Sequence, residues 1–207
     1  MPSPYEEVFG YSLESLHPRL RLYFAEIPRG RLGVGSGIFD VVGTPRRWLW
    51  PALWLLGSHG IMFAAWQKDV LFTVVNRPCV DARGNIAVAA VRTFRFDRCD
   101  RSMVDAITAE RGVLVDHLGR SRRLISRFSG HVVDGALTLT STILAVRVGR
   151  VRVTVPRILA PVVTLVERFD AADGRQHVAL EVRAPLIGRL YEYSGSFTYG
   201  IEEAPCP

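Results

Sequence analysis

The chain has 207 residues, 48% hydrophobic and 22% charged, a balance that suits one domain spanning 1–207 with a sizeable core and requires no second domain. Its formal charge of +6 is almost wholly arginine, since Lys68 is the only lysine; arginines such as Arg147, Arg150 and Arg152 alternate with apolar residues and no stacking platform accompanies them, which argues against a nucleic-acid partner. Cys79, Cys99 and Cys206 form an odd set without metal-ligand spacing, and the start MPSPYEEVFG lacks a secretory pattern, so a reducing cytoplasm is the expected location.

The first predicted element is a helix over Ser12 to Ala25, with Leu13, Leu16, Leu20 and Phe24 on one face, Ser12 as cap and Pro18 able to begin a second helical segment. A strand follows in RLGVGSGIFDVVG, residues 31–43. Its glycines at 33, 35 and 37 share one face, stripped of side chains so that another backbone or a ligand can approach. A phosphate loop is disfavoured there, because Ile38 to Val42 continue as strand where a dinucleotide site needs a helix.

Trp48 to Trp66 is an uncharged run that holds all four tryptophans. Its length falls within the roughly 17–25 residues that cross a bilayer. Gly57, Ser58, His59 and Gly60 at its middle are turn chemistry, however, which favours a short helix, a turn and a strand over a span. Thr44 is the expected cap, with Pro45 in the first turn and Gly57 as the stop.

From Lys68 onward the pattern is strand and turn. Strands are predicted at 69–77, 86–97, 103–109, 112–118, 122–133, 136–148, 150–155, 161–169, 175–184 and 189–199. Asp81 to Asn85, Gly119, Asp134-Gly135, Gly149, Asp173-Gly174 and Gly188 are the turns. So many short strands without intervening helices predict a mainly β fold, an antiparallel meander that closes into a barrel or folds into a sandwich. The barrel is preferred because closure avoids exposed edges: an antiparallel β-barrel of about ten strands, lipocalin/calycin-like, with an N-terminal helix and the Trp-rich helix covering one end. In the last strand Tyr191, Tyr193, Gly195, Phe197 and Tyr199 share one face, opposite Glu192, Ser194, Ser196 and Thr198. That aromatic face packs a core or walls a pocket.

The order Leu16-His17-Pro18, the glycine-rich strand, the hydrophobic helix, Leu114 to Gly119, Asp134 to Leu137, Glu167 to Asp170 with Asp173-Gly174, and Pro185 to Gly188 before Tyr191 to Gly195 resembles the bacterial domain of unknown function 4166. The resemblance covers most of the chain and is best after residue 110. It implies a domain that stands alone or accompanies saccharopine-dehydrogenase-like reductases, so a reductase partner is an expectation; a homodimer is the other protein partner expected. Asp116 stands where the family's pattern tends to glutamate, and the aromatic-x-Arg-x-Phe pattern is met only in part, by Val91 to Phe94 or by Phe94-Arg95-Phe96.

Few residues could do chemistry. Glu167 shares a face with Val163, Leu165 and Phe169, Asp105 lies between Met103 and Ile107, Asp116 adjoins His117, and Glu181 is near Arg183. A carboxyl facing an apolar interior has its charged form disfavoured, which is how an acid or base near neutrality is made. Arg92 or Arg95 is the expected partner of such a group. Asp116 and His117 point to opposite faces of a strand and cannot form a dyad with each other. His17, His59, His117, His131 and His177 lack the spacing of a metal site on one element, so no metal or other cofactor is expected.

The expected catalytic residues are Glu167, Asp116 and Tyr193. The expected ligand contacts are Trp54, Trp66, Arg92, Phe94, His117, Tyr191 and Phe197. The function expected is binding of an apolar small molecule in a barrel cavity, as a cofactor-independent cyclase or isomerase of bacterial secondary metabolism; the alternatives are a noncatalytic carrier of a lipid-like ligand and an accessory domain of a reductase. In the carrier reading the Trp-rich helix is a lid that touches membranes.

Overall fold

A computed structural model of the chain describes residues 2–81 and 84–205. Cys206 and the centre of the Asp81 to Asn85 turn lie outside the described residues. Among the described residues, three short α-helices, α1 (Pro4–Phe9), α2 (Pro18–Phe24) and α3 (Trp50–Ser58), accompany eleven strands. These are β1 (Arg31–Gly43), β2 (Trp66–Val80), β3 (Ile86–Arg95), β4 (Asp100–Glu110), β5 (Val113–Leu118), β6 (Leu124–Val133), β7 (Ala136–Val148), β8 (Val151–Thr154), β9 (Val162–Asp170), β10 (Arg175–Ala184) and β11 (Gly188–Glu203).

Every pairing is antiparallel, and neighbours in sequence are neighbours in the sheet from β1 to β7 and from β9 to β11. β7 pairs with both β6 and β9, and β11 pairs with β1, so ten strands close into a barrel while β8 extends from β7 as a short flap. Closure leaves the ring without an open edge, which a long, strongly twisted meander would otherwise expose.

The glycine stripe of β1 serves the aromatic row of β11. Gly37 lies opposite Phe197, Gly35 opposite Tyr199, and Phe39 opposite Gly195. A Cβ on Gly33 would fall 1.6 Å from the Tyr199 hydroxyl, one on Gly37 2.6 Å from the Phe197 Cα, and one on Gly195 2.4 Å from the Phe39 Cα. Each strand thus surrenders its side chains where the other lays an aromatic ring across it. The rings continue inward: Phe39 packs on Phe72, Phe94 and Tyr193, and Phe197 on Phe72 and Tyr23. The space that the stripe opens is filled by protein side chains.

Both ends of the barrel are covered. At one end α1 packs on β4 and β5, and α2 on β9 and β11. The Ser3 side chain accepts from the Glu6 N–H while Glu6 reaches back to the Ser3 N–H at 2.7 Å, a capping box that starts α1. Ser3 Oγ also donates to the Phe24 carbonyl and so ties α1 to α2. The expected helix over Ser12 to Ala25 is instead a 3-10 turn, Gly10–Ser15, and then α2. Pro18 opens α2, and His17 Nδ1 caps it by accepting from the Arg19 N–H.

At the other end lies α3, which starts later than expected, with Pro51 rather than Pro45 in its first turn, and ends at Ser58. Thr44 Oγ1 accepts from the Arg46 N–H and shapes the approach to the helix without capping it. After α3, the chain at His59 to Ile61 docks on the barrel rim. The Val104 N–H donates to the Gly60 carbonyl and the Arg120 N–H to the His59 carbonyl, each at 2.9 Å. No helix among the described residues is long and apolar enough to cross a membrane.

Candidate functional site

Away from the aromatic cluster, the interior between β4, β5, β7, β9 and β11 keeps a cavity of about 100 Å3. Its walls are mostly apolar, with Ile107, Leu114, Phe128, Leu139, Val163 and Leu165 among them. Tyr5 of α1 reaches it from one end, and Gly60 to Met62 cover it from the other. Into this wall the inward positions of the strands set Arg92, Asp105, Asp116, Glu167, Tyr191 and Tyr193.

Arg92 on β3 donates to Asp105 on β4. Burial pushes the Asp105 carboxyl up and Arg92 opposes that shift, while the guanidinium, facing Asp105, is held firmly protonated. A guanidinium has five N–H donors in a fixed fork, so a bond to Asp105 leaves others for the cavity. Asp116 on β5 has no such partner. Burial first and the neighbouring Asp105 charge second raise its carboxyl well above the usual range, against the opposing pull of Arg92.

Glu167 on β9 accepts a hydrogen bond from the Gln176 amide on β10. Burial pushes its carboxyl up to about 7, against the opposing pull of Arg92 and Gln176. Tyr193 is driven well above its ordinary value, chiefly by burial, and remains a phenol. Asp116 Oδ1 and the Ser126 Oγ opposite it are buried without a hydrogen-bond partner among the described residues. Of the two, Asp116 lines the cavity, and an unsatisfied buried oxygen there is a site at which a bound molecule can recover lost hydrogen bonding. The arrangement offers a fixed cation in Arg92, a buried carboxyl of raised pKa in Asp116 and, in Glu167, a carboxyl poised to gain or lose a proton near pH 7.

Of the residues expected from sequence, Glu167, Asp116, Tyr193, Arg92 and Tyr191 share this cavity. The others do not. Phe94 and Phe197 are buried in the aromatic cluster, without lining the cavity. Trp54 and Trp66 line a cleft of about 510 Å3 between α3 and the β3–β4 turn, outside the lid. His117 faces the barrel exterior, near Thr108 at 3.3 Å and Glu110 at 3.9 Å, because strand alternation turns it away from Asp116. The expected arginine partner of Glu167 is replaced by Gln176, and Arg95 lies on the surface 3.7 Å from Asp100. Glu181 pairs with Arg183 at 2.7 Å on the surface.

Tyr5, Gln176, Ser126 and the Gly60 to Met62 lid were not foreseen. Tyr5 was within reach, since Ser3-Pro4-Tyr5-Glu6 spells a capping box that predicts a helix there. Asp170, Asp173 and His177 bring three possible metal-ligand atoms within 4.8 Å of one another in the β9–β10 turn. Arg168, His177 and the N–H groups of Ala172 and Arg175 already hydrogen-bond the two carboxylates.

A sequence model described as Domain of unknown function (DUF4166) matches residues 16–197. The uncharacterized protein YndH of Bacillus subtilis (strain 168) is 25% identical over 202 residues, covering 95% of this chain and 97% of its own length. No solved structure matches the chain. With the family's match running from the end of the 3-10 turn into β11, across every strand of the barrel, the chain belongs to the DUF4166 family.

Proposed function

We propose that this protein binds a small, largely apolar molecule inside the barrel and moves a proton on it without a cofactor, as an isomerase or cyclase does. The observation that carries this reading is Glu167, a carboxyl raised to about 7 in the wall of a cavity that also holds the Arg92 cation and Asp116, whose carboxyl burial likewise raises. General acids and bases work best with such a value, and two carboxyls in different states within one site divide the acid and base roles. Glu167 would remove or return the proton, and Arg92 would stabilise negative charge developing on a substrate oxygen. Asp116 would donate to that oxygen or to a departing one. Tyr193 and the apolar walls would fix the substrate's conformation and exclude water.

Size favours a compact substrate. About 100 Å3 is near the roughly 150 Å3 of an engineered apolar cavity that takes benzene, and below the roughly 300 Å3 at which drug-sized sites begin. A one-ring molecule suits that space better than a whole acyl chain, which weighs against a carrier of long lipids.

Native mass spectrometry of protein purified from its own host, under gentle and then denaturing conditions, tests the reading. Release of a small compound that exchanges a carbon-bound proton with heavy water in the presence of wild-type protein, and not of Glu167→Gln, is the expected result. A compound retained without any exchange would make the protein a carrier and remove the catalytic claim.

A further inference from the structure

We propose that the barrel end bearing α3 docks on an anionic lipid bilayer. This inference stands on the surface of that end and is independent of the cavity's chemistry. Gly43 pairs with Glu192, Ala184 with Gly188, and Arg183 with Val162, so the connections 44–65, 155–161 and 185–187 leave the sheet side by side. Between them they expose Trp48, Trp54, Leu55, Ile158, Leu159 and Leu186, with Trp54 68% and Leu186 85% accessible. Arg46 Nη1 donates to the Ile187 carbonyl at 2.6 Å and so fastens two of these connections together. Large apolar side chains gathered on three adjacent loops are unlike the scattered exposed leucines of an ordinary surface.

Charge selects the occupant. Arg46, Arg47, Arg98, Arg101 and Arg157 lie on these loops and on the adjoining β3–β4 turn and start of β4, and none is ion-paired with a carboxylate among the described residues. The Arg47 guanidinium is 5.8 Å from the Trp50 ring centroid, at the level of the indoles. Tryptophan rings settle at the bilayer interface, and arginines beside them are drawn to anionic headgroups. A second copy of the chain is disfavoured as occupant, because a twofold contact through this face would bring its unpaired arginines against their own counterparts.

Co-sedimentation of the full chain with phosphatidylcholine vesicles, with and without phosphatidylglycerol, tests the proposal. All four tryptophans lie in Trp48 to Trp66, so intrinsic emission reports on this end alone. The expected result is binding to the phosphatidylglycerol vesicles with a blue shift in emission, weakened by salt. Arg47→Gln and Arg98→Gln should each lower partitioning about fivefold. Trp54→Ser with Leu186→Ser should abolish it, while Tyr11→Ser, an exposed residue near the opposite end, should leave it unchanged, all with wild-type circular dichroism. Absence of vesicle binding, equal loss in Tyr11→Ser, or self-association through Trp54 and Leu186 in place of vesicle binding would overturn the proposal.

Discussion

Asp116 on β5 sits directly opposite Ser126 on β6, and each carries a buried oxygen, Asp116 Oδ1 and Ser126 Oγ, without a hydrogen-bond partner among the described residues. A fold selected for stability alone would place apolar side chains at such a pair, since unpaired buried polar groups each cost about 1–3 kcal/mol. Leu114, Leu118 and Phe128 around them show that the site accommodates apolar groups. Asp116→Leu is therefore expected to raise the stability of the protein by about 1–3 kcal/mol. Ligand retention should fall in the same variant. Thermal unfolding with and without the released compound measures both effects.

Glu167 makes stability depend on pH with a definite sign. Its carboxyl rises from an ordinary 4.5 to about 7 in the folded protein, so the folded state holds a proton that the unfolded state has released. The corresponding stabilisation is complete below pH 4.5 and is lost as pH rises to 7, a fall of roughly 3 kcal/mol across that window. Asp116, also raised by burial, adds a fall of the same sign. Urea unfolding between pH 4.5 and 7.5 should show stability declining as pH rises, and Glu167→Gln should flatten that decline. An unchanged slope in the variant would assign the effect to other groups.

The interlock of β1 and β11 predicts two opposite outcomes for one type of substitution. Gly37→Ala would place a Cβ 2.0 Å from the Ser196 carbonyl oxygen, a backbone atom that can move only by opening the β1–β11 pairing. Overpacking of this kind costs about 1–3 kcal/mol or more. Gly200 has nothing within 4 Å of the corresponding position and no left-handed backbone, so Gly200→Ala should be close to neutral. Chemical denaturation of the two variants provides the comparison.

Ser3 links helix formation to the cavity. Its hydroxyl caps α1 and donates to Phe24, and α1 presents Tyr5 to the cavity. Loss of the cap in Ser3→Ala should cost about 1 kcal/mol. Hydrogen exchange should become faster over α1, while the β7–β8 flap at the distant rim keeps its rate.

The barrel was legible because period-2 alternation and turn residues survive in each strand: β1, β7 and β10 run where the pattern placed them. β2 and β11 are longer than the pattern placed them, because their ladders with β3 and β1 run on past their own apolar alternation. Inward-facing Glu167 and Tyr193 were legible from parity, which set them on the apolar and aromatic faces of their strands, whereas for Asp116 and His117 parity showed only that they face opposite ways. Parity says which face a residue takes but not what stands across the lumen. Phe94 and Phe197 therefore point inward yet meet other rings, and the Gly60 to Met62 lid, set by hydrogen bonds to β4 and Arg120, left no periodic trace. His117 was misplaced although parity had already set it on the other face from Asp116.

The central claim is that the barrel interior keeps a carboxyl ready to exchange a proton near neutral pH. Carbon-13 NMR of protein labelled at the glutamate carboxyl carbons, with Glu167→Gln to assign the signal, measures that state directly. A Glu167 midpoint near 7 is the expected result. A midpoint near the ordinary 4.5 would contradict the claim, since Glu167 would then be a solvated, permanently charged carboxylate and not an acid–base group of a closed cavity.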